Sequence, residues 1–293
     1  MSSLKRGISA AAPAALAAAL VCGAAIAQAP SQPAPAAAPA PAAADWRQLS
    51  PEDLMVIDTT KGRIVVELRP ELAPEHVAQI KALTRKGYYD GLQFFRVIDN
   101  FMAQTGDKAN SGSGESGEPD LKGTFSFRRG PDVPFAPAGK AGDGRDFGFI
   151  GATPVYTQPE ALALMTVDGK LKTWAAFCPG VAGMARTQNP DSASAQFFLM
   201  RGHTAMLEDQ YTAWGRVVIG QDVVNALQTG EPPTNPDLMT KVRIAADIPA
   251  GERPNVLRID PASASFQAQI AAARAARGAA FNPCDVQPAA RTG

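Results

Sequence analysis

The sequence predicts a mainly β domain, a closed antiparallel barrel capped by two helices, with a long surface insertion and a C-terminal helical tail. Three observations predict it. Between Leu54 and Ala246, short runs rich in β-branched and aromatic residues alternate with turn signals. Within that span only residues 73–86 and 221–227 have helical character. Residues 128–177 and 251–293 fit no barrel strand pattern, so they are read as additions.

The chain opens with Lys5 and Arg6, an apolar Ala/Leu/Val run and the small-residue triplet Ala25-Ile26-Ala27. That order predicts a secretory signal cut after Ala27. A retained anchor is the rival reading, because the run is nearly long enough to span a bilayer. A lipoprotein is a second rival, since Cys22 ends the run, although Val21 stands where a small residue is expected. Residues 28–47 are almost entirely Pro and Ala, which predicts a semi-rigid linker with little to bury. Residues 48–250 then form the expected domain. Lys and Arg number 28, Asp and Glu 28, so the formal charge is zero. That balance argues against nucleic acid or an anionic membrane as a main partner. Signal cleavage would leave no membrane insertion. Of three cysteines, cleavage removes Cys22 and leaves Cys178 and Cys284. An even pair bound for an oxidising compartment predicts a disulfide, with two buried free thiols as the alternative.

Leu54–Thr59 and Arg63–Leu68 flank Thr60-Lys61-Gly62, a hairpin signal, and Ile64, Val66 and Leu68 alternate along the second strand. Helix 73–86 rests on Val77, Ile80 and Leu83 at helical spacing, with Pro74 in its first turn and Gly87 beyond its end. Phe94–Ile98 reads as a strand ending at the turn pair Asp99-Asn100, and residues 109–123 as a surface loop. Residues 180–186, 195–201, 211–219 and 241–246 are further strands. In the insertion, residues 130–151 are dominated by Gly, Pro and Asp, whereas Met165–Trp174 reads as a hairpin about Asp168-Gly169. Residues 256–259 add a strand and 262–277 an Ala-rich helix. A bond from Cys178 to Cys284 would tie this tail to the end of the insertion.

The stretch FFRVIDNFMAQTGD, residues 94–107, sets Arg96 beside Phe94, Phe95, Phe101 and Met102, with Gln104 following. An always-charged fork of donors next to an apolar wall can orient a peptide carbonyl while the wall holds an apolar ring. A hydrolase is disfavoured. His76 and His203 are the two histidines, neither lies in a nucleophile motif, and their spacing supports no metal site. No metal and no cofactor is expected. Glu208-Asp209 reads as a solvated turn.

A second run, GVAGMARTQNPDSASAQFFLMRGHTAMLEDQYTAWGRVV, residues 180–218, completes the pattern. The two runs in this order closely resemble the cyclophilin family of peptidyl-prolyl isomerases, from about Leu54 to Ile248 without the insertion. The resemblance implies an eight-stranded antiparallel barrel with a helix at each end, and proline-containing polypeptides as substrates. It implies catalytic roles for Arg96 and Gln104, and a proline pocket walled by Phe101, Met102, Phe198 and Leu207. Ala185 and Arg186 match the edge along which residues before proline lie, Gln196 lies near the same groove, and Tyr211 stands where many bacterial relatives have tyrosine. Met206 replaces a tryptophan that contacts cyclosporin in the best-known eukaryotic members, so weak binding of that drug is expected. Phe95 replaces a common histidine, without cost to a reaction that moves no proton. With the signal, the resemblance implies the periplasm of a Gram-negative cell. A catalytically weak peptide-binding or chaperone module of the cell envelope is the alternative function.

Overall fold

The computed structural model describes residues 40–113 and 116–293. The expected signal and most of the expected linker lie outside the described residues. In chain order the first elements are β1 (Trp46–Gln48), β2 (Leu54–Thr59), β3 (Gly62–Leu68), α1 (Pro74–Arg85), β4 (Arg96–Ile98) and β5 (Met102–Thr105). Next come β6 (Phe127–Arg129), β7 (Ala136–Lys140), β8 (Asp146–Ile150), β9 (Thr153–Thr157), β10 (Leu171–Ala175), β11 (Val181–Met184) and β12 (Phe197–Met200). The chain ends with β13 (Ala213–Ile219), α2 (Gln221–Ala226), β14 (Met239–Ile244), β15 (Val256–Ile259), α3 (Ala264–Arg277) and β16 (Ala290–Thr292).

Eight of these strands form one curled antiparallel sheet in the order β14-β2-β3-β13-β11-β12-β5-β4. The expected closed barrel is not formed: the ladder is open between β14 and β4. Residues 231–236, Glu-Pro-Pro-Thr-Asn-Pro, run along the gap, and their three prolines have no N–H to extend a ladder. The isolated bridges Val97–Gly230 and Gln93–Leu238, a hydrogen bond from the Gly91 N–H to the Met239 carbonyl at 2.7 Å and the Arg96–Glu231 pair tie this segment and the start of β14 to the β4 side.

Inside the curl, Ile64, Val66 and Leu68 of β3 meet Val77, Ile80 and Leu83 of α1 and Val224 of α2 in the first hydrophobic cluster. Pro74 occupies the first turn of α1, where its missing N–H costs nothing. The alternation along β3 is therefore real, yet Val65 is buried too. It packs with Leu54, Val56, Ile248 and Val256 in a separate cluster on the other face. Trp46 and Arg47, at the end of the stretch expected as linker, belong to a three-stranded sheet in the order β1-β15-β16.

Residues 127–175 form a second, five-stranded sheet in the order β6-β10-β9-β8-β7. The hairpin expected about Asp168-Gly169 is absent. That turn leads from a 3₁₀ segment, Glu160–Met165, into β10, whose partners are β6 and β9. Asp168 accepts a hydrogen bond from the Lys170 N–H at 3.1 Å and pairs with Arg128, while Gly169 takes φ +64°. The second sheet, α3 and the outer face of β12 bury a common cluster that includes Phe147, Phe149, Phe177, Phe198 and Phe266. Cys178 and Cys284 form a disulfide, with Cα atoms 5.2 Å apart, that joins the end of the second sheet to the chain beyond α3.

Candidate active site

Sheet register assembles the site. Along a strand, side chains alternate between faces, and directly paired residues share one. Arg96 pairs with Gln104, Gln104 with Phe198, and Phe198 with Gly183, so one lateral row crosses β4, β5, β12 and β11. Two residues along, Ile98, Met102 and Met200 make a parallel row on the same face. The intervening Val97, Ala103, Phe197 and Leu199 point into the first cluster. Hence the sheet supplies a charged donor, an amide and an aromatic ring to one outward surface.

Three local features shape that surface. Gly183 has no side chain where a Cβ would lie 2.5 Å from the Phe198 ring, so the ring can lie over β11. Phe177 backs the same ring at 6.0 Å and Tyr211 meets its edge at 6.1 Å. The Phe101 carbonyl accepts the backbone N–H groups of Arg201 (2.8 Å) and Gly202 (3.2 Å), which fixes the turn carrying Phe101. A side chain at 202 would strike the Asn100 carbonyl, so glycine permits this contact.

The resulting cavity encloses about 120 Å³ and is lined by Arg96, Phe101, Met102, Gln104, Ala185, Arg186, Phe198, Leu207 and Tyr211. The Arg96 guanidinium sits 5.9 Å from the Phe101 ring centre and donates from Nη1 to Gln104 Oε1 at 3.4 Å. Gln104 donates in turn to Gln196 Oε1 at 3.1 Å, and Gln196 to the Gly112 carbonyl at 3.2 Å. Arg186 lies over the Tyr211 ring at 4.4 Å and donates to the Gln210 carbonyl at 3.2 Å. A larger hollow of about 580 Å³ adjoins the cavity and shares Gln104, Ala185 and Arg186.

Of the residues named from sequence, Gln196 lines the larger hollow rather than the small cavity. Met206 is 84% exposed and lines neither. Phe94, expected in the wall, is in the first cluster, and Phe95 packs towards Gly112. Phe101 and Met102 supply the wall instead. Sequence reasoning missed Gly183, Phe177 and Glu231. The carboxylate of Glu231 accepts from Arg96 Nε at 2.6 Å. Gly183 stands in the run 180–218, but only the β11–β12 register shows that it faces Phe198, whereas Phe177 and Glu231 lie outside both runs.

Residues 54–246 match the family model for cyclophilin-type peptidyl-prolyl cis-trans isomerases. A probable peptidyl-prolyl cis-trans isomerase of Brucella suis biovar 1 is 35% identical over 213 residues, which covers 67% of this chain and 85% of that protein. A protein of the same description from Brucella abortus (strain 2308) gives the same identity and coverage. Among solved structures, the cyclophilin AquaCyp293 from Hirschia baltica superposes with a TM-score of 0.77 at 34% identity, over 84% of this chain and 93% of its own. The chain is a member of the cyclophilin family of peptidyl-prolyl cis-trans isomerases.

Proposed function

We propose that the small cavity holds the proline ring of an extended X-Pro segment, with Arg96 as the catalytic donor and Gln104 as a second hydrogen-bonding contact to the substrate backbone. Phe101, Met102, Phe198, Leu207 and Tyr211 enclose the ring. Ala185, Arg186 and Gln196 border the residues before it. The observation that carries this reading is the single lateral row that sets Arg96, Gln104 and Phe198 around one apolar-walled cavity.

Amide resonance sets a barrier of about 18–20 kcal/mol to rotation about the X-Pro bond. No covalent bond breaks, so no nucleophile, metal or cofactor has a part in the step. In the twisted amide the proline nitrogen becomes pyramidal, and its lone pair becomes an acceptor for Arg96. The guanidinium offers its N–H donors in a rigid planar fork. One charge-assisted hydrogen bond contributes about 1.5–3 kcal/mol, whereas an acceleration of about 10⁵ requires nearly 7 kcal/mol. The remainder comes from an apolar site that fits the twisted form better than either planar one.

We infer further that the clients are exported proteins of the Gram-negative periplasm. The signal-like start and the Cys178–Cys284 bond support this, since stable disulfides belong to oxidising compartments. Proline-limited refolding of a disulfide-containing client, with and without the protein, tests it. Acceleration supports the reading, and an unchanged slow phase refutes it.

A second reading is favoured by one observation. Leu164, Met165 and Val167 stand almost fully exposed at the tip of the second sheet, a contiguous apolar feature with no cover among the described residues. In this reading the tip holds unfolded chains, and serine substitutions there reduce suppression of client aggregation while leaving isomerisation of short peptides intact.

A further inference from the structure

The loop between α2 and β14 brings a carboxylate to the outermost position of the lateral row. Val97 and Gly230 exchange both backbone hydrogen bonds, at 2.8 and 2.9 Å. In antiparallel register the next pair along is Arg96 opposite Glu231. That pair falls at the non-hydrogen-bonded spacing, where facing side chains lie closest. Glu231 Oε2 accepts from Arg96 Nε at 2.6 Å, and Gln104 Oε1 on the other flank accepts from Nη1 at 3.4 Å. Among the described residues, Arg96 Nη2 has no protein partner.

We propose that Glu231 is a positioning residue for the isomerase reaction. It grips the Nε edge of Arg96 so that, with Gln104 on Nη1, the planar guanidinium is held with Nη2 free for substrate. A guanidinium is rigid, so holding two of its three nitrogens fixes the plane and the direction of the third. Arg96 is more than a third exposed. Without a lateral partner its flexible stem would spread the donor over several rotamers and lose the alignment that the twisted amide needs. The carboxylate also offsets part of the guanidinium charge. Orientation therefore comes at some cost in field strength, and the balance is what experiment reads.

This inference rests on Arg96 being the catalytic donor. The experiment uses the full mature chain with an X-Pro peptide, and NMR line-shape analysis gives kcat and KM separately for Glu231→Ala, Glu231→Gln, Arg96→Ala and the Arg96→Ala/Glu231→Ala double variant. Thermal melts check folding, and Glu231 is half exposed, so both variants at 231 retain the fold. Glu231→Ala is expected to lower kcat about tenfold with KM little changed. Glu231→Gln, which keeps an acceptor, restores most of the loss. In the Arg96→Ala background the second substitution has no further effect. The Arg96 Nε–Hε order parameter falls in Glu231→Ala while backbone amide order parameters stay put. A kcat loss under about fivefold in Glu231→Ala, any gain, or an additive loss in the double variant overturns the proposal. If Arg96→Ala itself keeps wild-type activity, the reading of the site fails instead, and the two failures are told apart.

Discussion

Replacing Glu67 with Gln should destabilise the protein by about 3 kcal/mol, at the lower end of the range for removing one partner of a buried charge pair. Glu67 lies on β3 and its side chain is 4% exposed. Oε1 accepts from Arg69 Nη1 at 2.9 Å, while Oε2 accepts the Ala152 N–H at 3.1 Å and lies 3.3 Å from Arg258 Nε. Directly across the β3–β13 ladder stands Arg216, wholly buried, whose guanidinium is pushed down to about 10 by desolvation, with Glu67 opposing that shift. Arg216 donates to the Ala152 carbonyl at 3.1 Å and pairs with Gln287. One carboxylate thus faces cations from the curled sheet and the C-terminal extension, and its second oxygen takes an N–H from the second sheet. Glutamine keeps an acceptor but removes the charge, leaving Arg216 and Arg258 desolvated without it. Arg69 retains Glu71, which keeps the loss at about 3 rather than about 5 kcal/mol. For a domain of this size that corresponds to a fall in Tm of roughly 6–12 °C. Urea unfolding with the disulfide intact measures it directly. The exposed pair Arg47–Asp260 is the control, and Arg47→Ala should change stability by less than about 1 kcal/mol. A loss below about 1 kcal/mol in Glu67→Gln would refute the view that this carboxylate ties the three parts together.

Further outcomes follow from burial and close packing. His76 is fully buried, neither ring nitrogen has a protein partner among the described residues, and desolvation holds its pKa below the ordinary 6.5. Because the unfolded chain takes up a proton below about 6.5 and the folded one does not, His76 makes stability fall as pH drops from that value towards its folded pKa, by up to about 1.4 kcal/mol per pH unit. His76→Leu should flatten that slope, and an unchanged slope in urea melts across pH 5–7 would contradict it. Gly183→Ala should raise KM for X-Pro peptides several-fold with the fold retained, since a Cβ there drives the Phe198 ring from its seat. Unaltered peptide binding would count against the cavity as the proline site. Cys284→Ser opens a loop spanning 106 residues and should lower stability by about 2–4 kcal/mol. A melt matching wild type under oxidising conditions would show that the bond does not form in solution.

Seven strands of the curled sheet were legible because they carry strong local signals, whereas β5, Met102–Thr105, was not read as a strand. Leu54–Thr59 and Arg63–Leu68 enclose a turn in which the Thr59 hydroxyl donates to the Gly62 carbonyl at 2.7 Å. Val77, Ile80 and Leu83 place α1 within a residue of its observed ends. The second sheet was hidden by the residues that build it. Pro137, Gly139 and Gly148 read as loop, yet Pro137 sits on the edge strand β7, beside a register shift between Pro137 and Gly139. Gly139 leaves room for the Phe147 ring, and at Gly148 a Cβ would meet the Ala136 carbonyl and the Phe135 ring. Glycine there is a packing choice, and only the fold shows what packs. Closure failed as an expectation for a related reason, because strand signals cannot say that Pro232, Pro233 and Pro236 occupy the seam.

The site divides the same way. Arg96, Phe101, Met102, Gln104, Phe198 and Leu207 converge because two sequence runs pair as neighbouring strands, and motif order carries that information. Met206 carried none of its surroundings: in the 3₁₀ turn Ala205–Leu207, adjacent residues face apart, so Leu207 turns inward while Met206 stays in solvent. Glu231 lies 135 residues from Arg96, in a proline-rich loop whose register with β4 depends on the whole sheet.

The most direct measurement is the rate of cis-trans exchange at an X-Pro bond, followed by NMR exchange spectroscopy on a short peptide with wild type and Arg96→Ala. Wild type should accelerate exchange strongly. Arg96→Ala should lose at least about 1.5–3 kcal/mol of barrier lowering, roughly 10- to 150-fold in rate, with an unchanged thermal melt. A folded Arg96→Ala protein that catalyses at the wild-type rate would contradict the account.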